Sequence, residues 1–116
     1  MAYRKVQNDP APGCTLGINQ GQPPMNEHHI EQALKRSVEA AGGICWKLVS
    51  PGPTGVPDRI CIHQGRVVFV ELKAPGRQPR PIQARRIQQL TDHGMSVLVV
   101  DSTDGIREVL DALSAA

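Results

Sequence analysis

The sequence predicts one small α/β domain in which a central sheet of mixed strand direction is flanked by helices on both faces. Apolar residues recur at helical spacing in three segments, and short runs rich in Val and Ile lie between these segments. Two of the runs flank a Gly-containing turn, which predicts an antiparallel hairpin. The last run follows a helix, so a helical crossover joins it to the hairpin. The 116 residues are enough for one domain with a modest core.

The first half of the chain divides into an arm, a helix, a strand and a loop. Residues 1–24 are rich in Pro, Gly, Asn and Gln without periodicity, which predicts an irregular N-terminal arm before a folded domain over 25–116. A helix is predicted over 25–41, with Asn26 as its N-cap and two glycines after its end. A strand is predicted over 44–49. Three prolines and two glycines then predict a loop over 50–57.

The second half begins with the hairpin, predicted over 58–63 and 66–73 around the turn residues Gln64 and Gly65. Pro79 and Pro81 suit the start of a helix better than its interior, so a second helix is predicted over 81–93. The continuous apolar run 96–100 predicts a strand covered on both faces. A last helix is predicted over 104–113. The predicted order is therefore α-β-β-β-α-β-α.

Composition and charge exclude some functions. No apolar run approaches the length that crosses a membrane, and the N-terminus lacks a hydrophobic signal core, so a cytoplasmic location is expected. The odd count of three cysteines argues against a disulfide framework, and Cys45 and Cys61 are predicted to be small buried hydrophobes. Three aromatic residues are too few for a platform that stacks single-stranded bases.

Basic residues are unevenly distributed. The net charge of +2 hardly favours nucleic acid, yet the segment from Arg66 to Arg86 holds six basic residues and one acid. Such a tract suits the phosphate backbone of a nucleic acid. A solvated helix face would have the same composition.

Two acids on the predicted hairpin are the most informative residues. If Gln64 and Gly65 form the turn, antiparallel pairing places Asp58 opposite Glu71, with their Cβ atoms about 4.5–5.5 Å apart. Like charges at this separation repel, so the pair predicts a compensating divalent cation. Lys73 lies two residues after Glu71 and therefore on the same face. A slip of one residue would turn Asp58 to the opposite face.

Two acids and a lysine around a hard cation predict hydrolytic chemistry, with phosphodiesters as the leading substrate. Mg²⁺ takes oxygen ligands and keeps several waters, so Asp58, Glu71 and the backbone carbonyl of Leu72 are candidate ligands. Lys73 would orient or deprotonate the attacking water, or pair with the scissile phosphate. The alternatives are structural: Asp58 caps a turn, Glu71 forms an ion pair with Lys73 or Arg59, and Lys73 is an edge-strand lysine.

Two further side chains are candidates for the same site. Glu31 borders the apolar stripe of the first helix and could reach the metal from the side; the alternative is a solvated helix glutamate. Gln83 shares an inward helix face with Ile87 and Leu90, so its amide could bind a water or phosphate. The alternative is a local bond at the start of the helix. No histidine is assigned to a metal.

Three segments of the chain carry a family resemblance. Gly-Val-Pro-Asp-Arg-Ile at 55–60, Val-Glu-Leu-Lys at 70–73 and the helix opening Pro-Ile-Gln at 81–83 resemble the VRR-Nuc (virus-type replication-repair nuclease) domain of the PD-(D/E)XK superfamily. The resemblance covers about residues 26–112 and implies a restriction-endonuclease-like αβββαβ core. It further implies that Asp58 and Glu71 bind metal, Lys73 is catalytic, Glu31 is the helix-borne acid and Gln83 is the supporting glutamine.

The resemblance also implies a function. The expected activity is Mg²⁺- or Mn²⁺-dependent cleavage of DNA, and stand-alone chains of this size resemble homodimeric phage Holliday-junction resolvases acting in the host cytoplasm. A nuclease of ordinary duplex or flap DNA is one alternative. A non-catalytic DNA-binding module that retains the fold is a second, and a metal-free α/β interaction domain is a third. The candidate DNA-binding residues are Arg77, Arg80, Arg85 and Arg86.

Overall fold

The computed structural model describes residues 25–114 and the backbone of two residues near the N-terminus. The rest of the arm predicted over 1–24 lies outside the described residues. In chain order the elements are β1 (Arg4–Lys5), α1 (Glu27–Ala40), β2 (Ile44–Lys47), β3 (Arg59–His63), β4 (Arg66–Leu72), α2 (Pro81–Asp92), β5 (Ser96–Val100) and α3 (Thr103–Ser114).

The predicted helices and strands after the arm are all confirmed, with ends displaced by no more than two residues. The structure differs from the prediction at β1. Arg4 and Lys5 pair in parallel with β5, although they lie in a segment predicted to be irregular. Two residues are too few to display the alternation that identifies a strand in a sequence.

The sheet has the order β1-β5-β4-β3-β2 among the described residues. Strand β3 is antiparallel to both β2 and β4, and β4 is parallel to β5 through the α2 crossover. Helices α1 and α3 cover one face with a core that includes Ile30, Leu34, Val70 and Val109. Helix α2 covers the other face, where Ile87 packs against two residues of β5. The predicted arrangement of helices on both faces is confirmed.

The register of the hairpin is as predicted. Gln64 and Gly65 form the turn with φ of 48° and 81°, a left-handed conformation at both positions that suits a two-residue hairpin loop. His63 pairs with Arg66, and the ladder continues to the pair formed by Arg59 and Val70. The next opposed positions along this register are Asp58 and Glu71.

The two described cysteines are free thiols in paired positions of β2 and β3. Their sulfur atoms lie 3.7 Å apart, and both residues are buried in the core beneath α1. The prediction that Cys45 and Cys61 are small buried hydrophobes is therefore confirmed.

The loop between β2 and β3 is fixed against α2. Gly55 has φ of +81°, and a Cβ atom added there would lie 3.1 Å from the backbone carbonyl oxygen of Ile82. Arg86 Nε also donates a hydrogen bond of 2.8 Å to the carbonyl oxygen of Thr54. These contacts set the path of the chain as it approaches Asp58.

Replacing Gly55 with alanine is expected to destabilise the protein, because an L-residue pays about 1–2 kcal/mol in this left-handed conformation and the new methyl group meets the Ile82 backbone. Urea unfolding measures the loss. Gly52 lies in the same loop with open space around it, so Gly52→Ala is the matched control. Its free energy of unfolding should differ from that of the unmodified protein by less than about 0.5 kcal/mol. Equal losses for the two variants would contradict this reading of Gly55.

Candidate active site

The predicted acids meet where β4 ends and β3 begins. Asp58 immediately precedes β3, and its Oδ2 accepts a hydrogen bond of 2.8 Å from the backbone N–H of Leu72. Leu72 is the last residue of β4 and directly follows Glu71. The hairpin thus brings Asp58, Glu71 and the Leu72 peptide together at one end of the sheet.

Glu71 is a buried carboxylate that lacks good hydrogen bonds. Its residue is 1 % exposed, and neither side-chain oxygen accepts a hydrogen bond from the described residues. The Nζ atom of Lys73 lies 3.4 Å from Oε2, an ion pair without hydrogen-bond geometry. Burial and, after it, the charge of Asp58 raise the pKa of Glu71 to about 7, while Lys73 acts in the opposite direction. Buried polar atoms are normally satisfied, so this carboxylate requires an explanation.

The pKa of Asp58 is also raised by its surroundings. Burial raises its pKa above the usual value, and the charge of Glu31 adds to the shift. The hydrogen bond from Leu72 and the charge of Lys73 act in the opposite direction. Both acids of the hairpin are therefore disfavoured as ions in the absence of a nearby cation.

Glu27, in the first turn of α1, interacts electrostatically with the hairpin acids and was not predicted from the sequence. Partial burial raises its pKa, and the next largest contribution is the negative charge of Asp58, while Lys73 lowers the pKa. The charge of Glu27 also contributes to the raised pKa of Glu71. The available signal was its spacing of four residues before Glu31, which places both acids on the same side of the helix.

Glu31 has other partners. Its Oε2 accepts a hydrogen bond of 2.9 Å from Arg59 Nε and lies 3.5 Å from Lys47 Nζ. It is therefore not the solvated glutamate of the alternative interpretation, because two basic side chains bind one of its carboxylate oxygens. The charge of Glu31 raises the pKa of Asp58, and the charge of Asp58 raises that of Glu27, so both acids on this side of α1 are electrostatically linked to the hairpin.

Gln83 is buried in the first turn of α2, as its inward position predicted. Its Oε1 accepts a hydrogen bond of 2.8 Å from the backbone N–H of Arg80. The amide oxygen thus makes the local bond of the alternative interpretation and fixes the start of the helix.

The candidate DNA-binding arginines divide into two groups. Arg77, Arg80 and Arg85 have exposed side chains before and along the beginning of α2. Arg86 is partly buried and bonds Thr54 and Gln89, so it tethers the loop before Asp58. The sequence could not separate them, because all four occur in one basic tract.

The donor set at the end of the hairpin fits a hard divalent cation. Within residues 25–114, no three acidic, histidine or cysteine side chains already converge as a metal cluster. Mg²⁺ does not need such a cluster, since it commonly binds through one or two carboxylates and retains its waters. The unsatisfied oxygens of Glu71, beside the carboxylate of Asp58, are the observation that fits this kind of ligation.

Comparison with known proteins agrees with this geometry. No family model matches the chain. A protein of Acyrthosiphon pisum secondary endosymbiont phage 1, named "Putative nuclease p44", is 43 % identical over 91 residues, which cover 78 % of this chain and 97 % of the relative. A solved structure described as "VRR_NUC domain" superimposes with a TM-score of 0.68 at 31 % identity, covering 73 % of this chain and 94 % of the other.

The chain belongs to the VRR-Nuc family. The resemblance seen in the sequence is thereby confirmed, and so is the restriction-endonuclease-like fold that it implied. In this chain the hairpin brings two of the three segments that carry the resemblance, 55–60 and 70–73, to the same end of the sheet. Among the described residues, no helix combines the length and apolar character needed to span a membrane.

Proposed function

We propose that this VRR-Nuc chain is a metal-dependent endonuclease that hydrolyses phosphodiester bonds in branched DNA, including four-way Holliday junctions. The observation that carries the proposal is the buried, unsatisfied carboxylate of Glu71 beside Asp58 and Lys73. Family membership and the name of the phage relative support nuclease activity.

The residues that would hold Mg²⁺ or Mn²⁺ are Asp58, Glu71 and the backbone carbonyl of Leu72, with Glu27 contributing negative charge from α1. A bound cation of this kind supplies an acidified water and stabilises negative charge on the phosphate. Lys73 lies beside Glu71, where its ammonium group would orient the attacking water or hold the scissile phosphate.

The exposed arginines at the start of α2 are proposed to bind the DNA backbone. Arg77, Arg80 and Arg85 would contact phosphates, which position a nucleic acid without reading its sequence. Replacing all three with alanine is expected to weaken binding equally for different sequences and to reduce the slope of log K against log salt by about 3. Fluorescence anisotropy at several salt concentrations measures both. Arg107 is exposed on α3, and Arg107→Ala should leave the slope unchanged.

Substrate choice is tested with a four-way junction, a flap and a linear duplex of equal length in Mg²⁺. We expect the junction to be cut fastest and at symmetric positions. Preferential cutting of the linear duplex would favour the alternative of an ordinary duplex nuclease. Binding of the junction without cutting in either Mg²⁺ or Mn²⁺ would favour a non-catalytic DNA-binding module.

A homodimer is the proposed working form, because symmetric cleavage of a four-way junction requires two sites related by a two-fold axis. The sheet supports this proposal at the edge formed by β2, where Ile44 and Trp46 are exposed. An edge strand with exposed apolar side chains is a natural place for a second copy to pair. Sedimentation equilibrium distinguishes a dimer from a monomer, and Trp46→Glu should shift a β2-mediated dimer towards monomer.

A further inference from the structure

We propose that Glu31 and Arg59 are positioning residues whose buried ion pair holds Glu27 at the metal site. This inference rests on the proposed function, since it concerns how the metal site is assembled. It assigns a role to two charged residues that the hydrolytic mechanism itself does not use.

The ion pair is short and shielded from solvent. Arg59 Nε lies 2.9 Å from Glu31 Oε2, and the two side chains are only 9 % and 12 % exposed. Arg59 is held from a second direction, because its Nη1 donates a hydrogen bond of 3.2 Å to the carbonyl oxygen of Cys45 in β2. Lys47 also approaches Glu31, but its side chain is 64 % exposed and lies 3.5 Å away, so Arg59 provides the main constraint.

The pair joins the two elements that supply the acids. Arg59 directly follows Asp58 at the start of β3, and Glu31 lies one helical turn after Glu27 on α1. Side chains four residues apart lie on the same side of a helix. A bond from Arg59 to Glu31 therefore fixes the turn of α1 that carries Glu27 relative to the strand that carries Asp58.

A constraint is needed here because the acids repel one another. Asp58 and the buried, unsatisfied Glu71 already place two carboxylates at this end of the hairpin, and Glu27 adds a third acid one helical turn before Glu31. Without a cation, this repulsion favours movement of the first turn of α1 away from the hairpin. The Glu31–Arg59 ion pair opposes that movement and keeps Glu27 in place before the metal arrives.

The test is a double-mutant cycle on Mn²⁺ affinity, measured by calorimetry and by the electron paramagnetic resonance of free Mn²⁺. Glu31→Gln and Glu27→Gln are each expected to weaken binding about tenfold, the usual size for residues that support metal ligands. The double variant should bind about as weakly as either single variant, because Glu31 acts through Glu27. In cleavage assays, Glu31→Gln should raise the half-saturating Mg²⁺ concentration about tenfold while kcat at saturating Mg²⁺ stays near the unmodified value.

A matched control lies on the same helix. Glu39 pairs with Lys35 at the same distance of 2.9 Å, but both side chains are exposed and far from the hairpin acids along α1. Glu39→Gln should change Mn²⁺ affinity by less than twofold. If Glu31→Gln does not fold, Arg59→Lys replaces it. Lysine keeps the positive charge but lacks the guanidinium group, which bonds Glu31 and the Cys45 carbonyl at the same time.

The outcomes separate the two proposals. An unmodified protein that binds no Mn²⁺ overturns the proposed function and this inference with it. An unmodified protein that binds Mn²⁺, with affinity unchanged in Glu31→Gln and Arg59→Lys, overturns the inference alone. The inference is also overturned if the loss of Mn²⁺ affinity in the double variant equals the product of the two single losses, because Glu31 and Glu27 then act independently.

Discussion

Replacing Glu71 with glutamine is expected to slow cleavage on the order of a thousandfold and, in the metal-free protein, to increase stability above pH 7. The two effects have one cause. The buried carboxylate is costly as an ion when no cation is bound, and glutamine keeps its shape without the charge. A residue retained for folding alone would show the opposite effect on stability.

The stability effect depends on pH with a definite sign. The folded protein holds the Glu71 proton up to pH about 7, whereas the unfolded chain releases it near the ordinary value of 4.5. The folded state therefore binds more protons between these values, and stability falls as the pH rises through the window. For Glu71 alone the loss is about 3 kcal/mol, complete above pH 7 and absent below 4.5. The raised pKa values of Asp58 and Glu27 act in the same direction.

Urea unfolding in a chelator at pH 5 and pH 8 measures this loss. Glu71→Gln should remove most of the difference between the two conditions, and Glu39→Gln, an exposed acid on α1, should retain it. Mn²⁺ at 100 times its Kd should stabilise the unmodified protein by about 2.7 kcal/mol and Glu71→Gln hardly at all. The prediction fails if Glu71→Gln keeps the pH dependence of the unmodified protein.

The cleavage effect is measured on the preferred DNA substrate at saturating Mg²⁺. Loss of a carboxylate that would hold the cation at the reacting phosphate is expected to cost on the order of a thousandfold in rate. Activity within tenfold of the unmodified protein would remove Glu71 from the site.

Replacing Lys73 with methionine is the second large expected effect: cleavage falls about 10²- to 10⁴-fold while Mn²⁺ binding is retained. Methionine keeps the length and apolar stem of the side chain but removes the ammonium group 3.4 Å from Glu71. Because Lys73 lowers the pKa of Glu71, its loss should also move the onset of Mn²⁺ binding to higher pH.

Single-turnover cleavage and Mn²⁺ titrations at several pH values separate these effects. Lys35→Met is the matched control, since Lys35 also pairs with a glutamate but on the exposed side of α1. Loss of both binding and cleavage at every pH would assign Lys73 to the structure of the site rather than to the reaction.

The hairpin was the part of the site most fully determined by local sequence. Gln64 and Gly65 adopt the left-handed conformation that a two-residue turn requires, and a turn at these two residues fixes the register of both strands. Counting back from this turn along both strands places Asp58 opposite Glu71. The anomalous Glu71 was visible because it interrupts an otherwise apolar strand.

The helix-borne acid could not be chosen in the same way. Glu27 and Glu31 share one side of α1, so periodicity treats them alike. Their positions relative to the hairpin depend on how far along its axis the helix packs against the sheet, and the bond from Arg59 to Glu31 is a contact across 28 residues that periodicity does not reveal. The tether formed by Arg86 is equally non-local, because its partner Thr54 is 32 residues away in the sequence.

The exposed position of Trp46 has a spectroscopic consequence. It is the chain's only tryptophan, and its side chain is 61 % exposed on the edge strand rather than in the core. Indole emission from this protein therefore originates at the β2 edge alone. Covering that edge would move the emission maximum to shorter wavelength, and the unmodified chain thus carries its own optical probe of assembly.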